Sequence, residues 1–226
     1  MNAPQMNESE LRIEICRVGL SLYQRQYVHA SAGNISVRLP DEAGYLITPT
    51  DACLGQLDVQ AIAKVDMNGY QVSGDRASKT LALHRAIYAA DPTAQCVIHT
   101  HSTHLVALTL CGVWQAEDVL PPLTPYFVMK VGHVPLIPYH RPGDPKVGAL
   151  ISQKIHQMHA CNTPIRAVLL DRLGPNVWHE SLAQASAALE ELEETARLYL
   201  MTNGHQPAPL TEDQIQALRD EFDVKW

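Results

Sequence analysis

Leu11, Ile15, Val18 and Leu22 recur at helical spacing across residues 8–27, so the chain opens on an amphipathic helix, with Ser9 as its expected cap. The pattern then shortens. Ala32 and Gly33 make a tight turn, Ile35 and Val37 begin a strand, Asp41, Glu42 and Gly44 mark a hairpin turn, and Tyr45–Thr48 returns. After the loop TPTDACLG, Asp58 is expected to cap a short helix over 59–65, and MNGYQVSG reads as a turn and strand. Ser78 precedes a helical stretch that stops at Asp91-Pro92. Cys96–Thr100 is a short apolar strand running into His101, followed by a helix over 102–111. FVMKV and HVPLIPY read as a strand pair, 145–159 as a helix and 165–170 as a buried strand. A long helix covers 181–203, with Gly204 as its stop, and Thr211 with Gln214 makes a capping box for a last short helix. No internal repeat is visible. Strands and helices alternate irregularly, which predicts a layered α/β/α domain with a mixed sheet over residues 1–204. A Pro-containing link and a C-terminal helix follow over 205–226.

Composition narrows the class. The chain has 226 residues, 46% hydrophobic and 18% charged, enough for one generous core. The net charge of −7 and the lack of any Lys/Arg block argue against a nucleic-acid partner. No apolar run approaches the roughly 18 residues of a spanning helix, so no membrane partner is expected. The opening MNAPQMNESE is polar and acidic, unlike a secretory or transit leader. Cys16, Cys53, Cys96, Cys111 and Cys161 are scattered, odd in number and form no CxxC, as expected of reduced thiols in a cytoplasmic protein.

Three short motifs carry chemistry. In His99-Thr100-His101, residues two apart on a strand face the same side, so both imidazoles can reach one ion; packed or surface histidines remain the alternative. His104 lies one helical turn further on and could support such a site. Ala32-Gly33-Asn34 and Thr48-Pro49-Thr50 combine close backbone approach with neutral donors, as a phosphate requires. Ser78-Lys79-Thr80 offers a hydroxyl, an ammonium and free backbone N–H groups at a helix start.

Taken together in this order, the motifs resemble the class II aldolase/adducin family over residues 10–203. The segments that carry the likeness are SAGNISVR (31–38), LITPTDACLG (46–55), SGDRASKTLALH (73–84), VIHTHST (97–103), LTPYFVMKVG (123–132), PYHRPGD (138–144) and LEELEETARL (189–198). Within the family the chain is most similar to the 3-oxo-tetronate 4-phosphate decarboxylase branch. The resemblance implies a three-layer α/β/α fold with a central mixed, mainly antiparallel sheet. It also implies a divalent metal, zinc, and a small phosphorylated sugar-acid substrate in a homotetramer with sites between subunits. Position by position, it implies that Asn34 and Thr50 hold the phosphate, that Ser78 and Lys79 grip it too, and that His99 and His101 are two of three zinc ligands. Tyr126 would reach a neighbouring subunit's site and donate a proton.

Three positions depart from the family pattern. Thr80 stands where the family has a Glu acid/base, Leu173 where it has the third zinc histidine, and Asp51 where it has Gly. His140 is the leading replacement ligand, with Asp171 and Asp51 as alternatives. Thr80 bears on which reaction is expected. An aldolase must remove a carbon-bound proton and needs a base, whereas a β-keto acid loses CO₂ without one. The sequence therefore favours decarboxylation, with Thr80 and Tyr126 as the catalytic side chains. A sugar-phosphate aldolase or epimerase using Asp51, and a non-catalytic oligomer like the adducin head, are the alternatives. Glu190, Glu191, Glu193 and Glu194 read as a solvated helix face, and His84 as a core histidine.

Overall fold

The computed structural model describes residues 6–202 and 207–226. The chain opens on helix α1 (Glu8–Gln24). Its cap is Asn7 rather than Ser9: the Asn7 side chain accepts from the Glu10 amide at 3.1 Å, and Glu10 accepts from the Asn7 amide at 2.8 Å. This reciprocal box satisfies two otherwise free donors, which Ser9, already inside the first turn, cannot do. Strands β1 (Asn34–Arg38) and β2 (Tyr45–Ile47) form the expected hairpin.

The next segment differs from expectation. Asp58 accepts from the Gln60 amide at 2.8 Å in a local turn and caps no helix. Residues Ala63–Val65 instead form β3, paired with β2, and β4 (Gln71–Ser73) is the outer strand. The apolar spacing of Ile62 and Val65 suits either element, and pairing to an existing hairpin decides it. Helices α2 (Leu81–Ala90) and α3 (Thr103–Cys111) flank β5 (Cys96–His99) as expected.

FVMKV is not a strand. It lies in helix α4 (Pro125–Lys130), whose start is fixed by Thr124, accepting from the Phe127 amide at 3.1 Å, and by Pro125 in the first turn. HVPLIPY supplies only the two-residue β6 (Leu136–Ile137), because Pro135 and Pro138 on either side have no N–H for a ladder. Helix α5 (Lys146–Ala160) and strand β7 (Ala167–Leu170) match expectation. Strand β8 (Gly174–His179), absent from the sequence reading, is buried along nearly its whole length. The long helix is α6 (Leu182–Met201); its expected stop, Gly204, lies outside the described residues. Thr211 and Gln214 make the expected capping box of α7 (Glu212–Phe222), which packs on α4.

The eight strands form one sheet in the order β4-β3-β2-β1-β5-β8-β7-β6. Only β6 and β7 pair in parallel, so the sheet is mixed and mainly antiparallel, as the family resemblance implies. One face packs Ile15, Leu22, Leu105, Leu108, Phe127 and Leu189 from α1, α3, α4 and α6. The other packs Ile87, Tyr88, Ile151 and Ile155 from α2 and α5. This gives three layers. On the α2/α5 side the sheet also buries polar groups: Ser36 Oγ lies 2.7 Å from His84 Nδ1 and 2.8 Å from the Tyr88 hydroxyl. His84 faces inward as expected, and burial, with a smaller push from His99, drives its pKa down to about 3.

Candidate active site

The central strands β1, β5 and β8 set the floor of the site through their register. Asn34 is the partner of His99 across β1/β5, and His99 is the partner of Asn176 across β5/β8. Directly opposed residues share a face of the sheet, so two carboxamides flank one imidazole in a row. The row lies on the α2/α5 side, at the bottom of a cleft of about 530 Å³. Two glycines allow this crowding. A Cβ on Gly33 would stand 2.8 Å from the His99 carbonyl oxygen, and one on Gly174 would stand 2.2 Å from that of Thr100. Both have positive φ, at 83° and 120°.

His99 is 5% exposed, and its Nδ1 lies 2.8 Å from the Pro175 carbonyl oxygen. A carbonyl can only accept, so Nδ1 carries the proton and Nε2 presents a lone pair. Burial, reinforced by the neighbouring His101, lowers the His99 pKa to about 4. His101 follows two residues later, its ring edge-on to His99 with centroids 5.1 Å apart. Burial lowers its pKa too, with a contribution from His29, whose ring centroid is 6.4 Å away. Both imidazoles are thus neutral near pH 7, the form a metal ion requires. A buried lone pair, a second neutral imidazole beside it and oxygen donors in the same row suit a divalent ion. Among the described residues, no group of three or more His, Cys, Asp or Glu side chains converges as a metal-binding cluster.

The sequence-expected anion groups line the same cleft: Asn34, Thr50, Ser78, Lys79 and Thr80. Thr50 is positioned by the bridge between Pro49 and Ala77 and by its amide, which donates to the Arg76 carbonyl at 2.8 Å. Thr80 begins α2, and its hydroxyl lies 2.8 Å from that of Ser78. Lys79 is exposed at the rim. Asp51 also lines the cleft and holds φ of 58°, a left-handed backbone that Asp tolerates and Gly prefers.

His140 lines the far wall, with Nδ1 3.2 Å from Asp144 Oδ2. Arg141 and Asp171 join it there, and Leu173 adds an apolar side chain. Tyr126 is not in this cleft. It stands on α4, against the opposite face of the sheet, and is 63% exposed. His104 also turns away, with Nδ1 2.8 Å from Glu193. Asn176 also lines the cleft, and no sequence motif points to it. A lone Asn after Gly-Pro carries no motif; only the strand register marks Asn176.

Comparison with known proteins finds relatives over nearly the whole chain. The family model described as "Class II Aldolase and Adducin N-terminal domain" matches residues 13–200. A 3-oxo-tetronate 4-phosphate decarboxylase of Cupriavidus necator is 60% identical, covering 97% of this chain and 99% of its own. The Escherichia coli K12 protein of the same name is 42% identical, covering 94% and 96%. The crystal structure of YgbL from Klebsiella pneumoniae superposes with a TM-score of 0.84 at 41% identity, covering 95% of this chain and 100% of that one. The chain belongs to the class II aldolase/adducin family.

Proposed function

We propose that this chain is a metal-dependent carbon–carbon lyase that converts 3-oxo-tetronate 4-phosphate into dihydroxyacetone phosphate and CO₂. The observation that carries the reading is one cleft holding two adjacent neutral imidazoles, buried His99 and half-buried His101, with a set of phosphate-type donors and a hydroxyl, Thr80, at the head of α2. The relatives named for this decarboxylation, similar over nearly the whole chain, support it.

His99 and His101 would hold a divalent ion, zinc in this reading, which would supply an electrophile toward the substrate ketone. Asn34, Thr50, Ser78 and Lys79 hold the phosphate, with amide, hydroxyl and ammonium donors matched to its several oxygens. His140 and Arg141 face the anionic substrate from the far wall, and His140 is the further candidate ligand. The C1–C2 bond then breaks, its electrons pass into the C2–C3 enediolate, and the carboxylate leaves as CO₂. No carbon-bound proton has to be removed first, so the absence of a carboxylate at Thr80 does not block the step. Thr80 instead offers a hydroxyl to the developing oxyanion. Tyr126, exposed on its own chain, supplies the proton to C2 in a neighbouring copy's cleft. That requires an oligomer with sites between subunits, a homotetramer in this reading. Five free cysteines fit a cytoplasmic setting.

An aldolase or epimerase reading draws on Asp51, whose carboxylate lines the same cleft. The test is CO₂ release from 3-oxo-tetronate 4-phosphate, with dihydroxyacetone phosphate measured by a coupled reductase. His99→Ala is expected to lose at least about a thousandfold. Equal rates in the variant and the unaltered protein overturn the reading, and an aldehyde product without CO₂ selects the aldolase.

A further inference from the structure

We propose that the Asn176 carboxamide is the third protein ligand of the divalent ion, binding through Oδ1 beside His99 and His101 and leaving Nδ2 to hydrogen-bond a substrate oxygen. This rests on the metal-dependent reading above. Asn176 is 1% exposed, and neither Oδ1 nor Nδ2 has a partner in the protein. A buried amide left without hydrogen bonds costs roughly 1–3 kcal/mol per group. A core position on a strand would ordinarily hold Val or Ile at no such cost. The same face of β8 shows the contrast two residues on, where the buried Trp178 indole donates to Asp91 at 3.0 Å. The Asn176 amide is thus a liability to the fold unless something outside the protein satisfies it.

The chemistry of that partner is restricted. A cation alone satisfies Oδ1 and leaves the NH₂ idle; an anion alone does the reverse. A cation together with an anionic substrate oxygen satisfies both. The position is right for this, because Asn176 is the cross-strand partner of His99. Other candidates for a third ligand are less suited. Leu173 has no donor atom, and His140, in the loop after β6 and held by Asp144, lies outside the strand register that sets Asn176 beside His99. Asn34, on the other flank of His99, buries one unpartnered atom, Oδ1, where Asn176 buries two, and it belongs with the phosphate donors. Two imidazoles and an amide form a wholly neutral set. They leave the ion's double charge uncompensated, which favours a doubly anionic substrate, and the amide oxygen shifts preference toward harder ions than three imidazoles would.

The test measures metal, not turnover. The purified full chain is stripped with a chelator and titrated with Co²⁺ by calorimetry and visible absorption. Asn176→Val is expected to weaken Co²⁺ binding at least about tenfold and to change the Co²⁺ spectrum, while raising the Tm of the metal-free protein because two unpaired buried groups are gone. Asn176→Asp keeps an oxygen and adds a charge, so it should bind Co²⁺ more tightly than the unaltered chain; it carries the test if the Val variant fails to fold. Affinity and spectrum unchanged in both variants, with His99→Ala abolishing binding, overturn the assignment alone. A loss in Asn34→Leu with none in Asn176→Val also overturns it. An unaltered chain that binds no Co²⁺ overturns the metal-dependent reading and the assignment with it.

Discussion

Glu193 of α6 caps the start of α3 at His104. Its Oε1 accepts from the His104 amide at 2.9 Å and lies 2.8 Å from the ring Nδ1, while Oε2 accepts from the Leu105 amide at 3.1 Å. The formal cap residue, Ser102, makes no capping bond of its own. A carboxylate that is 3% exposed therefore does the work of an N-cap from another element. Because α3 begins two residues after His101, this contact also helps fix one end of the imidazole pair. Glu193→Ala should cost about 3 kcal/mol in urea unfolding, since it leaves two amides bare in a buried place. Glu193→Gln keeps an acceptor and should cost about 1 kcal/mol. Equal stability of the two variants would show that the charge and its bonds are not what holds α3.

Asp91 gives a stability term with a defined pH window. It is fully buried, receives the Trp178 indole and pairs with Arg166. Burial pushes its carboxyl up, but the Thr93 hydroxyl, Arg166, the Thr93 amide and Trp178 together outweigh that and hold it below the usual value. A depressed carboxyl stabilises the fold fully above the unfolded-chain pKa, near 3.9, and loses that contribution as pH falls through the folded value. Asp91→Asn should thus cost about 3 kcal/mol at pH 7. The gap to the unaltered chain should narrow below about pH 4, as the unaltered chain loses its own term. Urea melts at pH 7, 5 and 3.5 check this; a gap constant across the three would contradict the assignment.

Gly174 and Gly112 separate two effects of a side chain on positive-φ backbone. Both lie outside the region that other residues adopt, at φ of 120° and 102°. Around Gly112 nothing stands within 4 Å of an added Cβ, whereas at Gly174 the Thr100 carbonyl oxygen is 2.2 Å away. Gly112→Ala should cost about 1–2 kcal/mol from backbone strain alone. Gly174→Ala adds a clash with the segment carrying His101, and should cost about 3 kcal/mol or more and weaken metal binding as well. If the two variants melt alike, the close approach of β8 to Thr100 is not a constraint.

Much of this site is legible in the sequence because its parts are local. His99-Thr100-His101 ends a strand whose apolar run is unmistakable, and Ser78-Lys79-Thr80 precedes a helix with clear periodicity. Asn34, Thr50, His99 and His101 do meet in one cleft. What the sequence hides is set by contacts between distant segments. Strand β8 begins with Gly174-Pro175, which reads as a turn, and its strand character comes from pairing with β5 and β7. Asn176 gains meaning only from that register. Glu193 looks solvated in a run of glutamates, yet it follows Leu189 by four residues and so shares its buried face. Helical spacing could have separated it from Glu194, which pairs with Arg197 on the surface.

Lys79 should act on binding rather than on bond breaking. It is exposed at the rim and makes no ion pair among the described residues, so its ammonium is available to the phosphate throughout the reaction. A contact equally strong in ground and transition states changes KM and leaves kcat alone. Lys79→Ala is expected to raise KM about tenfold with kcat within about twofold, and added salt should shrink the difference by screening. A fall in kcat at unchanged KM would move Lys79 into the chemical step.

Tyr126 provides the strongest check on a site shared between chains. Its exposure on α4, on the far side of the sheet from the cleft, means that it cannot serve the imidazole pair of its own chain without a large rearrangement. If it protonates C2 in a neighbour, Tyr126→Phe should lower kcat about a hundredfold and leave metal content unchanged. His99→Ala should be inactive for a different reason, the loss of an ion ligand. Each variant alone then lacks one half of every site. In mixed oligomers, however, a cleft from the Tyr126→Phe chain can meet the intact Tyr126 of a His99→Ala chain, which restores complete sites. Unfolding the two together and refolding them should recover a substantial share of CO₂ release, whereas either refolded alone should recover no more than its own residual rate. No recovery, in mixed oligomers confirmed by mass, would place the proton donor within the chain that holds the metal.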